Sequence, residues 1–250
     1  MLFILTFALC LQSKPELEFV VKENPEYVLI SQSSDFVVEI QNKGSGEALG
    51  VEITAEENFV SVSAPKIASL GESGSIPVNV SVSASQLAEG DNAFTLKAVW
   101  HDSGGETSTV TKKIKFSVRK PSVVIEKVES GLLPGKIRIT TNEKKVISVT
   151  IKNREEARLS NFSLVFFSKY PHFTISREGM AEVPSDGRKY SFTLEEYFSQ
   201  GDVASKSFTL SVALPQGTNS ASFTLQVMLY WNNYLIDTAE LEVVVNGTAS

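Results

Sequence analysis

A chain of 250 residues with 42% hydrophobic content has apolar material for one large domain or two of ordinary size. Its 23 Lys and Arg against 29 Asp and Glu leave a net charge of −6, and no basic cluster goes much beyond pairs such as Lys112-Lys113, Lys144-Lys145 and Arg119-Lys120, which argues against a nucleic-acid partner. The single cysteine, Cys10, excludes intrachain disulfides and every cysteine-built metal site.

Residues 1–14 hold an apolar run from Leu2 to Leu11, about the length of a signal-peptide core and short of the roughly 20 residues that span a bilayer. No Lys or Arg precedes the run. Ala8 and Cys10 stand at small-residue positions before a cleavage point, whereas Leu9 fits a lipoprotein signal at Cys10 poorly. A buried first strand or helix is the other reading; export, to the cell surface or the medium, is the expectation. No second apolar segment is long enough to anchor the chain.

From residue 17 onward almost every segment alternates apolar and polar residues. Phe36-Val38-Ile40, Val51-Ile53, Ile76-Val78-Val80-Val82 and Phe94-Leu96-Ala98-Trp100 come first; Ile147-Val149-Ile151, Phe208-Leu210-Val212 and Phe223-Leu225-Val227-Leu229 follow. Period two over short runs with turn residues between them predicts half-buried antiparallel strands, about seven to a unit. Helical spacing is confined to Ser85–Ala88 and Ser191–Phe198.

The strands come in two sets. A shift of 111 residues lays Phe36-Val38-Ile40-x-Asn42 on Ile147-Val149-Ile151-x-Asn153, and Val51 and Ile53 on Phe162 and Leu164. Farther on, Ile76–Val82 is matched with Phe208–Leu214, and the Phe-Thr-Leu at Phe94 with that at Phe223, so the offset grows to about 129–132. This is an internal duplication whose second copy carries roughly 20 extra residues. The junction falls near Arg119-Lys120-Pro121-Ser122, where proline suits a short stiff linker. The predicted fold is all-β: two tandem immunoglobulin-like antiparallel sandwiches over 15–119 and 120–250, the second with an enlarged loop region at 165–207.

The stretch Phe36-Val-Val-Glu-Ile-Gln-Asn-Lys-Gly-Ser-Gly-Glu-Ala-Leu-Gly-Val-Glu-Ile, with the later Gly90-x-x-x-Phe94-x-Leu96, resembles CARDB-type and S-layer-like immunoglobulin-like modules of prokaryotic surface proteins, archaeal ones foremost. The likeness covers the first unit well. It covers the second less well, because Asn153-Arg-Glu-Glu-Ala157 lacks both glycines. It implies an adhesive, architectural or spacer role and no enzymatic activity.

Gly44-x-Gly46-x-x-x-Gly50 runs into another strand where a phosphate cradle needs a helix N-terminus, so glycines at positive φ in a strand-to-strand connection are the expectation. The two histidines fall in turns: His101 opens His101-Asp-Ser-Gly-Gly-Glu-Thr107, and His172 sits in Tyr170-Pro-His-Phe173. The pairs Glu56-Glu57, Glu155-Glu156 and Glu195-Glu196 place adjacent residues on opposite faces, so they do not converge on one bond, and solvated loops account for them. Asp102 and Glu106 offer too few oxygens for calcium, so neither metal nor cofactor is expected. Asn79, Asn161 and Asn246 open N-glycosylation sequons; Asn79 and Asn161 lie in the solvent phase of their strands.

The aromatics of the second unit are its most distinctive feature. Tyr170 and Phe173 lie in the enlarged region, and Tyr230-Trp231-Asn-Asn-Tyr234 predicts a hairpin with Asn232-Asn233 at its tip. The expected function is a non-enzymatic surface or secreted module working through protein contacts or self-assembly, with sheet edges as one route. The alternative is a carbohydrate-binding accessory protein stacking sugars on Tyr230, Trp231 and Tyr234. Core filling by the same aromatics is the reading against which both stand.

Overall fold

The computed structural model describes residues 13–63, 66–130, 133–177 and 188–247; the apolar run at the N-terminus and its expected cleavage point lie outside these. The chain divides into two compact units, one up to Lys120 and one from Pro121. Both are immunoglobulin-like antiparallel β-sandwiches. Among the described residues there is no helix, and so none long and apolar enough to cross a membrane.

In the first unit β1 (Leu17–Glu23), β3 (Ser33–Asn42), β7 (Ser75–Ser83) and β5 (Val60–Ser63) form one sheet in the order β1-β3-β7-β5. The facing sheet runs β2-β9-β8-β4-β6, from β2 (Tyr27–Leu29), β9 (Thr107–Arg119), β8 (Gly90–His101), β4 (Ala48–Ala55) and β6 (Ile67–Leu70). Alternation decides the faces: Phe36, Val38 and Ile40 of β3 and Phe94, Leu96 and Ala98 of β8 are all fully buried. Phe36, Phe94 and Phe116 meet edge-on or tilted at 5.2–6.0 Å between centroids.

The second unit repeats this plan. One sheet is β11-β10-β13-β17-β15, from β10 (Val123–Ser130), β11 (Leu133–Pro134), β13 (Lys144–Asn153), β15 (Phe173–Ser176) and β17 (Val203–Val212). The other is β12-β19-β18-β14-β16, from β12 (Lys136–Thr140), β14 (Phe162–Phe167), β16 (Lys189–Leu194), β18 (Ser220–Trp231) and β19 (Tyr234–Asn246). Leaving out the two-residue β11, the strand orders match one for one. Even the parallel edges recur, β2 beside β9 and β12 beside β19.

Register corrects the sequence alignment in two places. Ile40 pairs with Ile76, and its counterpart Ile151 pairs with Ala204, so Ile76 corresponds to Ala204 and not to Phe208. The offset there is 204 − 76 = 128, and the second copy is longer by 128 − 111 = 17 residues at that point. Ile53 pairs with Ala98 and Leu164 with Leu229, which makes Leu225 the counterpart of Phe94, two residues away from Phe223. Neither helical candidate survives. Ser85-Gln86 is a turn, and Ser191–Leu194 continues β16, where Tyr190, Phe192 and Leu194 alternate inward. The enlarged region is thus partly strand.

Candidate functional site

The Gly-rich turn serves the fold, but not through positive φ at Gly44 or Gly46; of the three glycines only Gly50 is left-handed (φ 58°). A Cβ on Gly44 would lie 2.2 Å from the Lys14 carbonyl oxygen, and one on Gly46 would lie 2.4 Å from that of Ser13. The segment entering β1 lies directly on the turn, with the Lys43 amide donating to the Glu16 carbonyl at 2.7 Å. Asn42, 1% exposed, holds the arrangement together. Its Nδ2 donates to the carbonyls of Gly46 (2.7 Å) and Leu70 (2.9 Å), and its Oδ1 accepts from the amides of Glu16 (3.1 Å) and Gly44 (3.0 Å).

Asn153 repeats the device, donating to Ala157 and Phe198 carbonyls and accepting from the Glu155 amide. Lys14-Pro15 corresponds to Lys120-Pro121, and the Arg154 amide donates to Ser122 as Lys43 does to Glu16. Where the first unit has Gly44, the second has Glu155, whose carboxylate accepts the Ser122 amide at 3.0 Å. Glu155 is 2% exposed, so the expected solvated loop is wrong for this residue. Burial here is tolerated because the carboxylate is hydrogen-bonded.

The other sequence candidates are local. Asp102 Oδ1 accepts from the amides of Gly104 and Glu106, and His101 Nδ1 lies 2.9 Å from Thr107 Oγ1, all within one hairpin. Among the described residues no group of three or more His, Cys, Asp and Glu side chains gathers to hold a metal ion. Asn79, Asn161 and Asn246 are exposed. Asn161 is left-handed (φ 64°), at the position that Gly50 holds in the first unit.

The hairpin of Tyr230 to Tyr234 forms with Asn232 and Asn233 both at positive φ, as a tight two-residue turn requires. Its aromatics do not share a face. Trp231 points inward and is 1% exposed, so it cannot serve as a stacking platform; Tyr230 and Tyr234 are half-buried. Phe173 is likewise core, at 2%.

Tyr170 and its surroundings are different. Ser168 is buried, donates its hydroxyl to the Thr224 carbonyl (2.9 Å) and accepts the Tyr170 amide (3.2 Å), which shapes the loop after β14. The Tyr170 ring then stacks on Phe223 with centroids 4.7 Å apart and planes 9° from parallel, and its hydroxyl donates to the Ala213 carbonyl at 3.0 Å. Burial pushes the Tyr170 hydroxyl pKa above its ordinary value. His172 meets Tyr170 edge-on at 5.5 Å. Beside this stack a cleft of 350 Å³ opens on the outer face of the β14–β18–β19 sheet, lined among others by Phe167, Lys169, Tyr170, Phe223, Gln226 and Glu240. Sequence patterning does not single out Phe167, Gln226 and Glu240 as site residues; only the pairing of Phe167 with Gln226 and of Gln226 with Glu240 sets them in one row.

No protein-family model matches the chain, and no curated protein matches it. Solved structures do. The C-terminal domain of the Streptococcus agalactiae AgI/II polypeptide BspA is similar over 92% of this chain and 100% of its own, at 12% identity and TM-score 0.41. The C-terminal domain of the Streptococcus pyogenes antigen I/II-family protein AspA covers 92% and 99%, at 8% identity and TM-score 0.43. The titin domains z1z2 in complex with telethonin cover 95% and 98%, at 11% identity and TM-score 0.37. Likenesses at such scores carry nothing about what this chain binds.

Proposed function

We propose that this protein is a non-enzymatic surface or secreted module that holds a protein partner, or a second copy, on the outer face of its second unit. One observation carries the reading. On that face Val165, Met228 and Tyr230 occupy the positions that Thr54, Lys97 and Val99 occupy in the first unit; Val165 is covered, at 4% exposure, while Met228 and Tyr230 are half-buried. Leu235, 41% exposed, extends the strip opposite Tyr230. A duplicated sheet whose outer face has exchanged Thr54 and Lys97 for Val165 and Met228 is more apolar in one copy, and such a face is suited to contact. Kinship with CARDB-type modules of archaeal or other prokaryotic surface proteins belongs to the same proposal, supported by the Asn42 turn. Glycosylation at the three exposed sequon asparagines would be compatible with it.

The test is fractionation of the producing cells. The protein is expected in the envelope or the medium, with envelope-bound material released by the double substitution Tyr230→Lys and Leu235→Lys at unchanged thermal midpoint. A wild-type protein confined to the cytoplasm would overturn the proposal.

A further inference from the structure

The geometry points to a saccharide site on the second unit, centred on Phe167; it rests on the binding-module reading above but uses the opposite end of the same face. Across four neighbouring strands one row of side chains runs Lys189 on β16, Phe167 on β14, Gln226 on β18 and Glu240 on β19, each directly opposite the next. Side chains opposite one another on a sheet stand about 5 Å apart and on the same side. The row therefore sets an aromatic ring between an amine on one side and an amide and a carboxylate on the other.

Each member has capacity left for a ligand. Among the described residues Phe167 makes no ring-to-ring contact, unlike Tyr170 and Phe223, whose faces are spent on each other. Gln226 donates to Glu240 at 3.2 Å, which orients both groups and leaves the amide oxygen and the second carboxylate oxygen as acceptors. Lys189 is exposed and carries three donors. Phe167, Gln226 and Glu240 of the row line the 350 Å³ cleft together with Lys169 and Tyr170, and Lys189 follows next to Phe167 on the neighbouring strand.

A saccharide ring matches this pattern. Its axial C–H face lies against the electron-rich face of an aromatic ring, and its equatorial hydroxyls both give and take hydrogen bonds at the rim. The cleft volume is at the small end of ligand pockets, about 300–1,000 Å³, which suits one or two sugar units. The first unit offers an internal comparison. Its corresponding row holds Glu56, Thr95 and Lys113, with no aromatic ring, so only the second unit binds.

A glycan microarray of neutral and charged mono- and oligosaccharides, probed with the full chain, tests this. We expect signal on at least one saccharide, lost tenfold or more in Phe167→Ala and in Gln226→Ala, and kept in Phe167→Tyr. Tyr197→Ala, at an aromatic 61% exposed elsewhere on the unit, should bind as the wild type does. A blank array would overturn the inference, and so would binding that survives Phe167→Ala in a folded protein. Neither result touches the envelope experiment, whose substitutions lie at Tyr230 and Leu235.

Discussion

Gly44 and Glu155 occupy one position in two copies and solve one problem differently. In both, the chain entering the unit must pass over a turn whose Asn side chain is buried. With no side chain at Gly44 the passing backbone comes within contact of the turn; with Glu155 a carboxylate reaches the passing Ser122 amide. The sequence made the shared asparagines legible, since their place after the alternating strand is the same in both copies. It hid the reason for the glycines, because the atoms that exclude a Cβ belong to Ser13–Glu16, far earlier in the chain. Gly44→Ala should therefore cost about 1–3 kcal/mol through forced displacement of this segment. Gly71→Ala, where a Cβ meets nothing within 4 Å, should stay within about 0.5 kcal/mol. Urea midpoints of the two variants provide the measurement, and faster amide exchange at Lys43 would place the damage at the turn.

At the scale of strands, alternation told where most elements lie and which residues face inward. Among the described residues the expected seven or so strands per unit became nine and ten, because β2, β5 and β6 of the first and β11 and β15 of the second span only two to four residues, too few for a period to show. Pairing also overrules a shared motif. Phe-Thr-Leu occurs in both copies, yet Phe94 is fully buried among Phe36 and Phe116 while Phe223 lies half-buried at the end of its sheet, stacked on Tyr170. Phe94→Ala should cost about 3–5 kcal/mol, as a core phenylalanine does, and Phe223→Ala clearly less. Equal losses by chemical denaturation would contradict the register that pairs Leu164 with Leu229. Edges tell a similar story. Among the described residues no strand pairs with the outer edge of β9 over Ser108–Lys115, and Lys112, Lys113 and Lys115 are all exposed there; lysines of this kind discourage strand addition, so assembly through that edge is disfavoured. A sequence scan finds those lysines but not that they guard an edge.

The molecule as a whole is a comparison of one plan with itself. Duplication let the sequence yield the fold, since two weak patterns in the same order reinforce each other. The candidate site was less legible for a physical reason: it is a row across strands, and its members are far apart in the chain. Tyr170 was visible as an aromatic in the enlarged region, whereas nothing in the order of residues sets Phe167 beside Gln226 and Glu240, which only strand pairing brings together. Trp231, the most suggestive residue for sugar stacking, fills the interior.

That interior position has an optical consequence. Trp100 and Trp231 correspond in the two sandwiches, are 4% and 1% exposed, and are the only tryptophans in the chain. Each unit thus carries one fluorophore whose emission shifts to the red when its own core opens. In a Trp100→Phe background the signal reports the second unit, and in a Trp231→Phe background the first. Adding Asn153→Ala, which unmakes buried hydrogen bonds worth about 1–3 kcal/mol, should lower the midpoint reported by Trp231 and leave that reported by Trp100 in place. A common shift in both would mean that the two units open together, so the same pair of spectra measures how far one sandwich feels the state of the other.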